Sequence, residues 1–208
     1  MRSILLLSAM GLLAAAASAS IVNNDGFETS NVLPGGFNYS ADQGGTVAAS
    51  PWSFASRSGI ATNGSTFNGS ASEGSAYAFL QTYEPTSTAS VSQAVTLVAG
   101  QQYHLTYDLA SRQGVGFGGT NAVTATVDGV EVNGTVTGTN GWTSQGGYFV
   151  ATNTGVQNLA FTATSLDPTS LDATSFVDRV GIEAVPEPTT LAVFCAGMAL
   201  LKRRKNAR

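Results

Sequence analysis

A chain of 208 residues is long enough for one domain of ordinary size with targeting segments at its ends, and short for two domains. Residues 20–185 contain three arginines, twelve acidic residues and no lysine, a net charge of −9 that argues against nucleic acid and anionic membranes as partners. The one cysteine, Cys195, lies near the C-terminus, which excludes disulfides, zinc thiolate sites and cysteine catalysis from this middle region.

The N-terminal segment has the pattern of a secretory signal peptide. Arg2 precedes an apolar run at 4–17, and the small residues at 17–19 suit a signal-peptidase cut that leaves Ser20 at the mature N-terminus. We therefore predict a signal peptide over residues 1–19, with signal peptidase as a partner during export. An uncleaved anchor is the alternative, although the apolar run is short for a bilayer span.

Residues 20–184 predict one all-β domain. Short runs rich in β-branched and aromatic residues are separated by Gly, Asn and Asp, and we find no long helical periodicity. Eight or more short strands indicate a β-sandwich. The predicted strands are 76–81, 91–97, 102–109, 123–127, 130–136, 148–152, 159–164 and 176–183.

Local patterns refine this prediction at three places. Asp128-Gly129 predicts a hairpin, because a two-residue turn needs positive φ, which these residues adopt at little cost. Every second residue from Tyr103 to Leu109 is apolar, so one face of that strand should be core and the other solvent or ligand. Segment 35–74, rich in Gly, Ser and Asn with isolated aromatics, predicts long loops joining short strands at one end of the sandwich, where ligands usually bind.

Several short segments of the domain follow the order of a known fold. They read NNDGFE at 23–28, GSAYAFLQ at 74–81, VSQ at 91–93, AGQQY at 99–103 and FVDRV at 176–180. Together they resemble the galactose-binding-like jelly rolls and carbohydrate-binding modules. The resemblance spans nearly the whole domain and implies a jelly-roll β-sandwich, while it says less about function.

Residues 185–208 combine three features in a fixed order. Pro186-Glu187-Pro188 comes first, an apolar run at 191–201 follows, and four clustered cations at 202–205 come last. This order resembles the PEP-CTERM sorting signal, which in that family is recognised in the inner membrane and cut near the proline motif by an exosortase. The resemblance implies an exported protein at the cell surface or in the extracellular matrix of a Gram-negative-type bacterium.

The apolar run also limits how the tail meets a membrane. Its eleven residues span about 16 Å as a helix, roughly half of the hydrocarbon core, so membrane contact through this short helix should be transient. The basic cluster would stay cytoplasmic and leave the proline motif on the far side for cleavage. A plain tail anchor is the alternative.

Asp178 suggests a structural calcium site. It shares strand parity with Phe176, Val180 and Ile182, so we predict that it faces the core, where a bare carboxylate is unfavourable. A calcium ion accepts carboxylates and backbone carbonyls, and the modules that this chain resembles often carry one where the first and last strands meet. This implies Glu28 and Asp178 as metal ligands. A water-bonded or edge-exposed Asp178 is the alternative.

Four residues are predicted to bind a sugar, because flat rings stack on pyranose faces and arginine offers a planar fork of donors. They are Trp52, Tyr83, Arg112 and Trp142, and for the two tryptophans a core role is the alternative. No catalytic residue is predicted. The single histidine, His104, is separated from Asp108 by about 13 Å along an extended strand, and a Gly-x-Ser-x-Gly elbow is absent.

The sequence as a whole predicts an exported, surface-associated, non-enzymatic β-sandwich that binds or is embedded in extracellular polysaccharide. One alternative is a purely structural coat or biofilm matrix component. The other is an exported glycan-active hydrolase, which would need a pair of facing carboxylates in a cleft.

Overall fold

The computed structural model describes residues 20–83, 87–112, 121–166 and 172–186. Their regular structure is β-strand, apart from a short 3-10 helix at Ala41–Gln43. The strands are β1 (Phe37–Tyr39), β2 (Ser53–Ser56), β3 (Ser58–Thr62), β4 (Ala76–Thr82), β5 (Thr88–Leu97), β6 (Gln102–Ser111), β7 (Asn121–Val127), β8 (Val130–Thr137), β9 (Thr143–Val150), β10 (Gly155–Ser165) and β11 (Ala173–Ala184).

The strands form two antiparallel sheets that pack face to face. The six-stranded sheet has the order β1-β3-β4-β11-β6-β9, and the five-stranded sheet has the order β2-β5-β10-β7-β8. The chain changes sheet at every connection except β3 to β4 and β7 to β8. This is a jelly-roll β-sandwich, which confirms the predicted fold class.

The main core lies between the sheets and follows the alternation of the strands. In β5 and β10 nearly every second residue is buried, and the apolar face predicted for β6 is buried as well. Removing these side chains from water is the main favourable contribution to folding. The largest side chains of this core include Leu97, Leu105, Tyr107, Leu109, Leu159, Phe161 and Ile182.

All eight predicted strands are found. The turn at Asp128 and Gly129 has φ values of +48° and +79°, which confirms the predicted hairpin between β7 and β8. The prediction for 148–152 is displaced, since β9 begins at Thr143. Gly146 and Gly147 interrupt the alternation there, so the sequence shows only the last part of the strand.

A second apolar layer lies on the outer face of the six-stranded sheet. Residues 63–75, which we call the covering loop, cross β4 and β11, and Phe67 stacks on Phe79 with ring centroids 4.3 Å apart. A Cβ on Gly69 would lie 2.6 Å from Tyr77 Oη, so this close approach requires glycine. Every residue of β3 and β4 is consequently buried, on both faces of the sheet.

The covering loop corrects the prediction for segment 35–74. That segment does supply short strands, β1, β2 and β3, but the long loop after them lies across a sheet face and not at one end of the sandwich. Its isolated aromatics, such as Phe67, pack on a sheet face because the sheet offers them apolar surface to bury.

The two ends of the sandwich differ in what they carry. One end, here called the loop end, holds the C-termini of β4 and β6 and the start of β11. At the opposite end, the terminal end, the N–H of Ile21 donates to Ile182 and that of Val185 donates to Gln102. The chain therefore enters and leaves the sandwich at the terminal end.

The predicted targeting segments lie mostly beyond the described part of the chain. Pro186 is described and exposed, while Glu187, Pro188, the signal peptide at 1–19 and the apolar run at 191–201 fall outside it. Among the residues that are described, no helix has the length and apolar character needed to cross a bilayer.

Candidate functional site

Tyr83 lies at the loop end, immediately after β4, and its side chain is 41% exposed. The guanidinium of Arg57 lies over the ring, with Cζ 4.8 Å from the ring centroid. Such a cation–π contact holds the ring in place from one side. The structure thus presents a fixed, solvent-accessible tyrosine ring beside a planar hydrogen-bond donor.

Arg112 lies at the same end of the sandwich with its side chain largely buried. Its side chain is 8% exposed and donates to Asp172 Oδ2 at 2.9 Å and to the carbonyl oxygen of Thr66 at 2.9 Å. Its Cζ also lies 4.6 Å from the ring centroid of Phe67. The prediction that Arg112 contacts a sugar is therefore corrected. Its guanidinium instead joins the covering loop to the residue that precedes β11.

A chain of hydrogen bonds connects Arg112 to the exposed tyrosine. Asp172 Oδ1 accepts from Gln81 Nε2 at 2.7 Å, and Gln81 Oε1 accepts from the hydroxyl of Tyr39. Burial raises the pKa of Tyr39, against an opposing effect of nearby Arg57, so the phenol stays protonated as a donor. Two of the three arginines in residues 20–185 thus meet in one place.

Phe37 adds a second exposed ring on the same outer face, level with Tyr77 in the sheet and so about 20 Å along the strands from Tyr83. Its ring is 42% exposed and contacts Tyr39 edge-on, with centroids 5.8 Å apart. We call Phe37, Tyr39, Arg57, Gln81 and Tyr83 the aromatic corner. The sequence pointed to Tyr83 alone. The remaining members come from distant segments that only the pairing of β1, β3 and β4 brings together.

Trp52 does not belong to this surface, and its predicted stacking role is wrong. The side chain is 5% exposed and lies in the core beside Phe27, with ring centroids 4.9 Å apart. Its Nε1 donates to the carbonyl oxygen of Asn24 at 2.8 Å. A buried indole with its one donor satisfied offers no ring face to a sugar.

Trp142 is half-buried and fastens the covering loop. Its Nε1 donates to the carbonyl oxygen of Ser70 at 2.7 Å, and its ring meets Tyr77 and Phe176 at centroid distances of 6.1 and 6.3 Å. These contacts give Trp142 a packing role beside the loop end. A sugar contact through the accessible part of the ring stays a prediction.

Asp178 is fully buried, but beneath the covering loop and not between the sheets. The register of β11 against β6 shifts between Asp178 and Gly181, and Arg179 adopts φ +49°. The bulge breaks the alternation, so Val180 faces the main core while Asp178 shares the outer face with Phe176. The predicted parity of Asp178 with Val180 is therefore wrong.

Glu28 and Asp178 both hold the C-terminal half of the covering loop. Each carboxylate accepts three hydrogen bonds, and desolvation by burial raises the pKa of Asp178 to about 7, with the charge of Glu28 adding to the effect. The backbone donors are Ser72, Glu73 and Arg179 to Asp178, at 2.7, 3.1 and 2.8 Å, and Ser75 and Ala76 to Glu28, both at 2.8 Å.

The two carboxylates fit a calcium ion in part. They flank Gly26, whose Cβ position would lie 3.6 Å from Asp178 Oδ1 and 3.8 Å from Glu28 Cγ. A carboxylate has about four acceptor positions, so each retains one for a cation. Within the described ranges, no three His, Cys, Asp or Glu side chains form a ready metal cluster. Backbone carbonyls would have to complete the coordination shell, so the calcium site stays a prediction.

Comparison with known proteins bears on both parts of the chain. Residues 184–206 match the PEP-CTERM protein-sorting motif, which confirms the sorting signal predicted at 185–208. The motif indicates an exported protein that is sorted to the cell surface. No curated protein matches the chain.

The sandwich is similar to solved carbohydrate-binding modules. TmCBM61, solved in complex with β-1,4-galactotriose, is 18% identical with a TM-score of 0.53, covering 81% of this chain and 100% of that chain. The CBM22-1-CBM22-2 tandem domain of Paenibacillus barcinonensis Xyn10C is 16% identical with a TM-score of 0.54, covering 84% of this chain and 48% of that chain.

A catalytic chain contains a similar fold. The arabinose-bound α-L-arabinofuranosidase MgGH51 is 13% identical with a TM-score of 0.50, and the match covers 80% of this chain but 26% of that chain. At such identities the likeness shows the fold alone. The chain thus joins a jelly-roll domain with the fold of carbohydrate-binding modules to a PEP-CTERM protein-sorting motif.

Proposed function

We propose that this exported protein is a non-enzymatic, surface-associated carbohydrate-binding protein that is released or attached after exosortase cleavage near Pro186. The aromatic corner is its sugar site. The observation that carries the proposal is the Tyr83 ring, which is exposed at the loop end and held from one side by Arg57. An exposed ring in a fixed orientation is what a pyranose face needs for stacking.

The chemistry of the corner favours a neutral polysaccharide. Arg57 supplies a planar donor beside the exposed ring of Tyr83, which suits sugar hydroxyls. The domain as a whole carries a net charge of −9 and would repel acidic polymers. One or two stacking contacts contribute about 0.5–1.5 kcal/mol each, so single-site binding should be weak and should gain from many copies on one surface.

The placement of the titratable groups supports a binding role over a hydrolytic one. Glu28 and Asp178 hold the covering loop, and Asp172 pairs with Arg112. His104 stacks on Tyr148, with ring centroids 4.4 Å apart and an interplanar angle of 16°. These groups have structural partners in place of the facing pair that glycoside hydrolysis uses.

Sugar binding is tested by the substitution Tyr83→Ala. Calorimetric titration of the processed protein with galactotriose and with oligomers of other neutral glycans should show about two- to tenfold weaker binding, the loss expected for one stacking contact. Val156→Ala is the control, because that valine is 74% exposed on β10 in the other sheet. Unchanged binding in Tyr83→Ala would rule out the corner, and a wild type that binds none of the glycans would favour the structural coat alternative.

The way the sandwich ends supports the proposed processing. The N–H of Val185 donates to Gln102, and Gln101 Nε2 donates to the carbonyl oxygen of Val185 at 2.7 Å. Pro186 comes next and is exposed, so a protease can reach the chain directly beyond the last anchored residue. Mass spectrometry of native surface protein should place the new C-terminus near Pro186 or Glu187. Recovery of peptides from 191–201 in most molecules would instead indicate a tail anchor.

We also propose that calcium stabilises the domain through Glu28 and Asp178. An ion that binds only the folded state adds about 2.7 kcal/mol at a hundredfold excess over its Kd. The melting temperature of metal-loaded protein should therefore fall when EDTA is added, and Asp178→Ala should abolish that response. A melting temperature that EDTA leaves unchanged in loaded protein would refute the site.

A further inference from the structure

Four strands lie at the edges of the two sheets: β1 and β9 in one, β2 and β8 in the other. An edge strand presents unpaired backbone N–H and C=O groups that pair readily with another chain. Natural proteins protect such edges by keeping them short, by placing charge or proline on them, or by distorting them with a bulge.

Three of the four edges carry such protection. β1 has three residues and β2 has four, which is too short to template another strand. β8 carries Glu131, and its pairing with β7 shifts register between Thr124 and Thr126. A bulge of this kind bends the strand and interrupts its row of backbone groups.

β9 has none of these protections. Its eight residues, TSQGGYFV, include no charge and no proline. They pair with β6 in an unbroken register from Thr143, opposite Leu109, to Val150, opposite Gln102. Tyr148 and Val150 are 62% and 55% exposed. A long, uncharged, partly apolar edge is the kind that recruits another strand.

Aromatic pairs on both faces hold this edge rigid. Tyr148 stacks on His104 outside, and Phe149 stacks on Tyr103 inside with ring centroids 5.6 Å apart. From the inner side the carbonyl oxygen of Val132 comes so close that a Cβ on Gly147 would lie 2.7 Å from it. These contacts support the two faces of β9. None of them involves the edge of the strand that points away from β6.

We propose that β9 pairs with β9 of a second copy of this chain, antiparallel and across a two-fold axis, so that the six-stranded sheets join into one continuous sheet. The strand is its own partner in this arrangement, as a two-fold interface requires. Gly146 and Gly147 lie at the middle of the strand, where the two-fold axis would pass and no side chain projects. Two domains of net charge −9 repel each other, and an uncharged edge is where they can meet with least repulsion.

The test is the oligomeric state of the processed protein, measured by sedimentation over a wide range of concentration. Wild type should be a dimer, and Val150→Lys should weaken dimerisation by at least about tenfold, because a charged lysine on an edge strand opposes pairing with another strand. Val156→Lys is the matched control: the same substitution at a valine that is 74% exposed on β10, within the other sheet. It should leave the dimer intact.

Two results would overturn the proposal: a wild type that stays monomeric throughout, or equal effects of Val150→Lys and Val156→Lys. If Val150→Lys fails to fold, hydrogen exchange of the wild type decides the question. Amides of 143–150 should then become more protected as the protein concentration rises, and protection independent of concentration would refute pairing through β9. Neither measurement depends on sugar binding, so the proposed function and this inference fail separately.

Discussion

The two outer faces of the sandwich have opposite characters. The face of the six-stranded sheet carries the covering loop, a second aromatic layer and all three arginines of residues 20–185. The outer face of the five-stranded sheet, here called the bare face, consists mainly of small hydroxyl and methyl side chains. One cross-strand row on the bare face reads Ser90, Thr162, Thr124 and Thr135.

The difference shows how one sandwich separates a layered aromatic side, where we propose that sugar binds, from a plain side. On the bare face, β5 and β10 alternate between buried and accessible residues, as strands with one solvated face do. β4 is buried along its whole length, because the covering loop removes its second face from water. The covering loop also packs Phe67 against Phe37 and Tyr39 of the aromatic corner.

The largest expected effect concerns the buried carboxylate beneath the covering loop. The pKa of Asp178 is raised to about 7, so its favourable contribution is present at acid pH and is lost as pH rises toward the folded-state pKa. Between about pH 4 and pH 7 the free energy of unfolding of metal-free protein should fall by up to about 4 kcal/mol relative to Asp178→Asn. Urea unfolding in EDTA across this range measures the difference.

Calcium should reverse this trend, because a bound cation favours the ionised carboxylate. The same unfolding series in calcium chloride should then show no loss of stability toward neutral pH. Equal pH dependence in wild type and Asp178→Asn would mean that Asp178 is not the group that titrates.

The next largest effect tests the covering loop itself. Phe67 is 2% exposed and stacks on Phe79, so Phe67→Ala should lower the free energy of unfolding by about 3 kcal/mol, at the low end for a buried phenylalanine. Denaturant unfolding measures it, with Val156→Ala on the bare face as the control. A loss below about 1 kcal/mol would show that the loop is not a packed layer.

The smallest effect tests the bare face. Thr162→Ala, at the centre of the hydroxyl row, should change the free energy of unfolding by no more than about 0.5 kcal/mol and should leave sugar binding unchanged. Calorimetric titration beside Tyr83→Ala makes the comparison direct. Loss of binding in Thr162→Ala with retention in Tyr83→Ala would move the sugar site to the opposite side of the sandwich.

The sequence predicts the longer strands, because only these contain enough residues to show the two-residue alternation of apolar and polar side chains. β5, β6 and β10 alternate over ten or eleven residues, so their existence and their buried faces follow from the pattern. β1, β2 and β3 have three to five residues, too few to show a period among glycines and serines. A loop is predicted in this part of the chain, but its packing across the sheet could not be predicted without the strands beneath it.

The candidate site is less visible in the sequence, for two physical reasons. A bulge at Arg179 reverses the side on which Asp178 points, and no residue nearby signals it. Arg57 and Tyr83 lie far apart along the chain and meet only because β3 pairs with β4. Trp52 has glycine- and serine-rich neighbours typical of a loop, yet its large apolar area draws it into the core.

The position of the two chain ends sets the height at which the aromatic corner is displayed. The segment beginning at Ile21 runs beside the last strand, and Val185 leaves the sheet next to Gln102. β6 spans the domain from that point to the loop end, and its ten residues rise about 33 Å. A protein held at its C-terminus would therefore stand upright, with Tyr83 at the far pole, where a long polymer can reach it without touching the surface below.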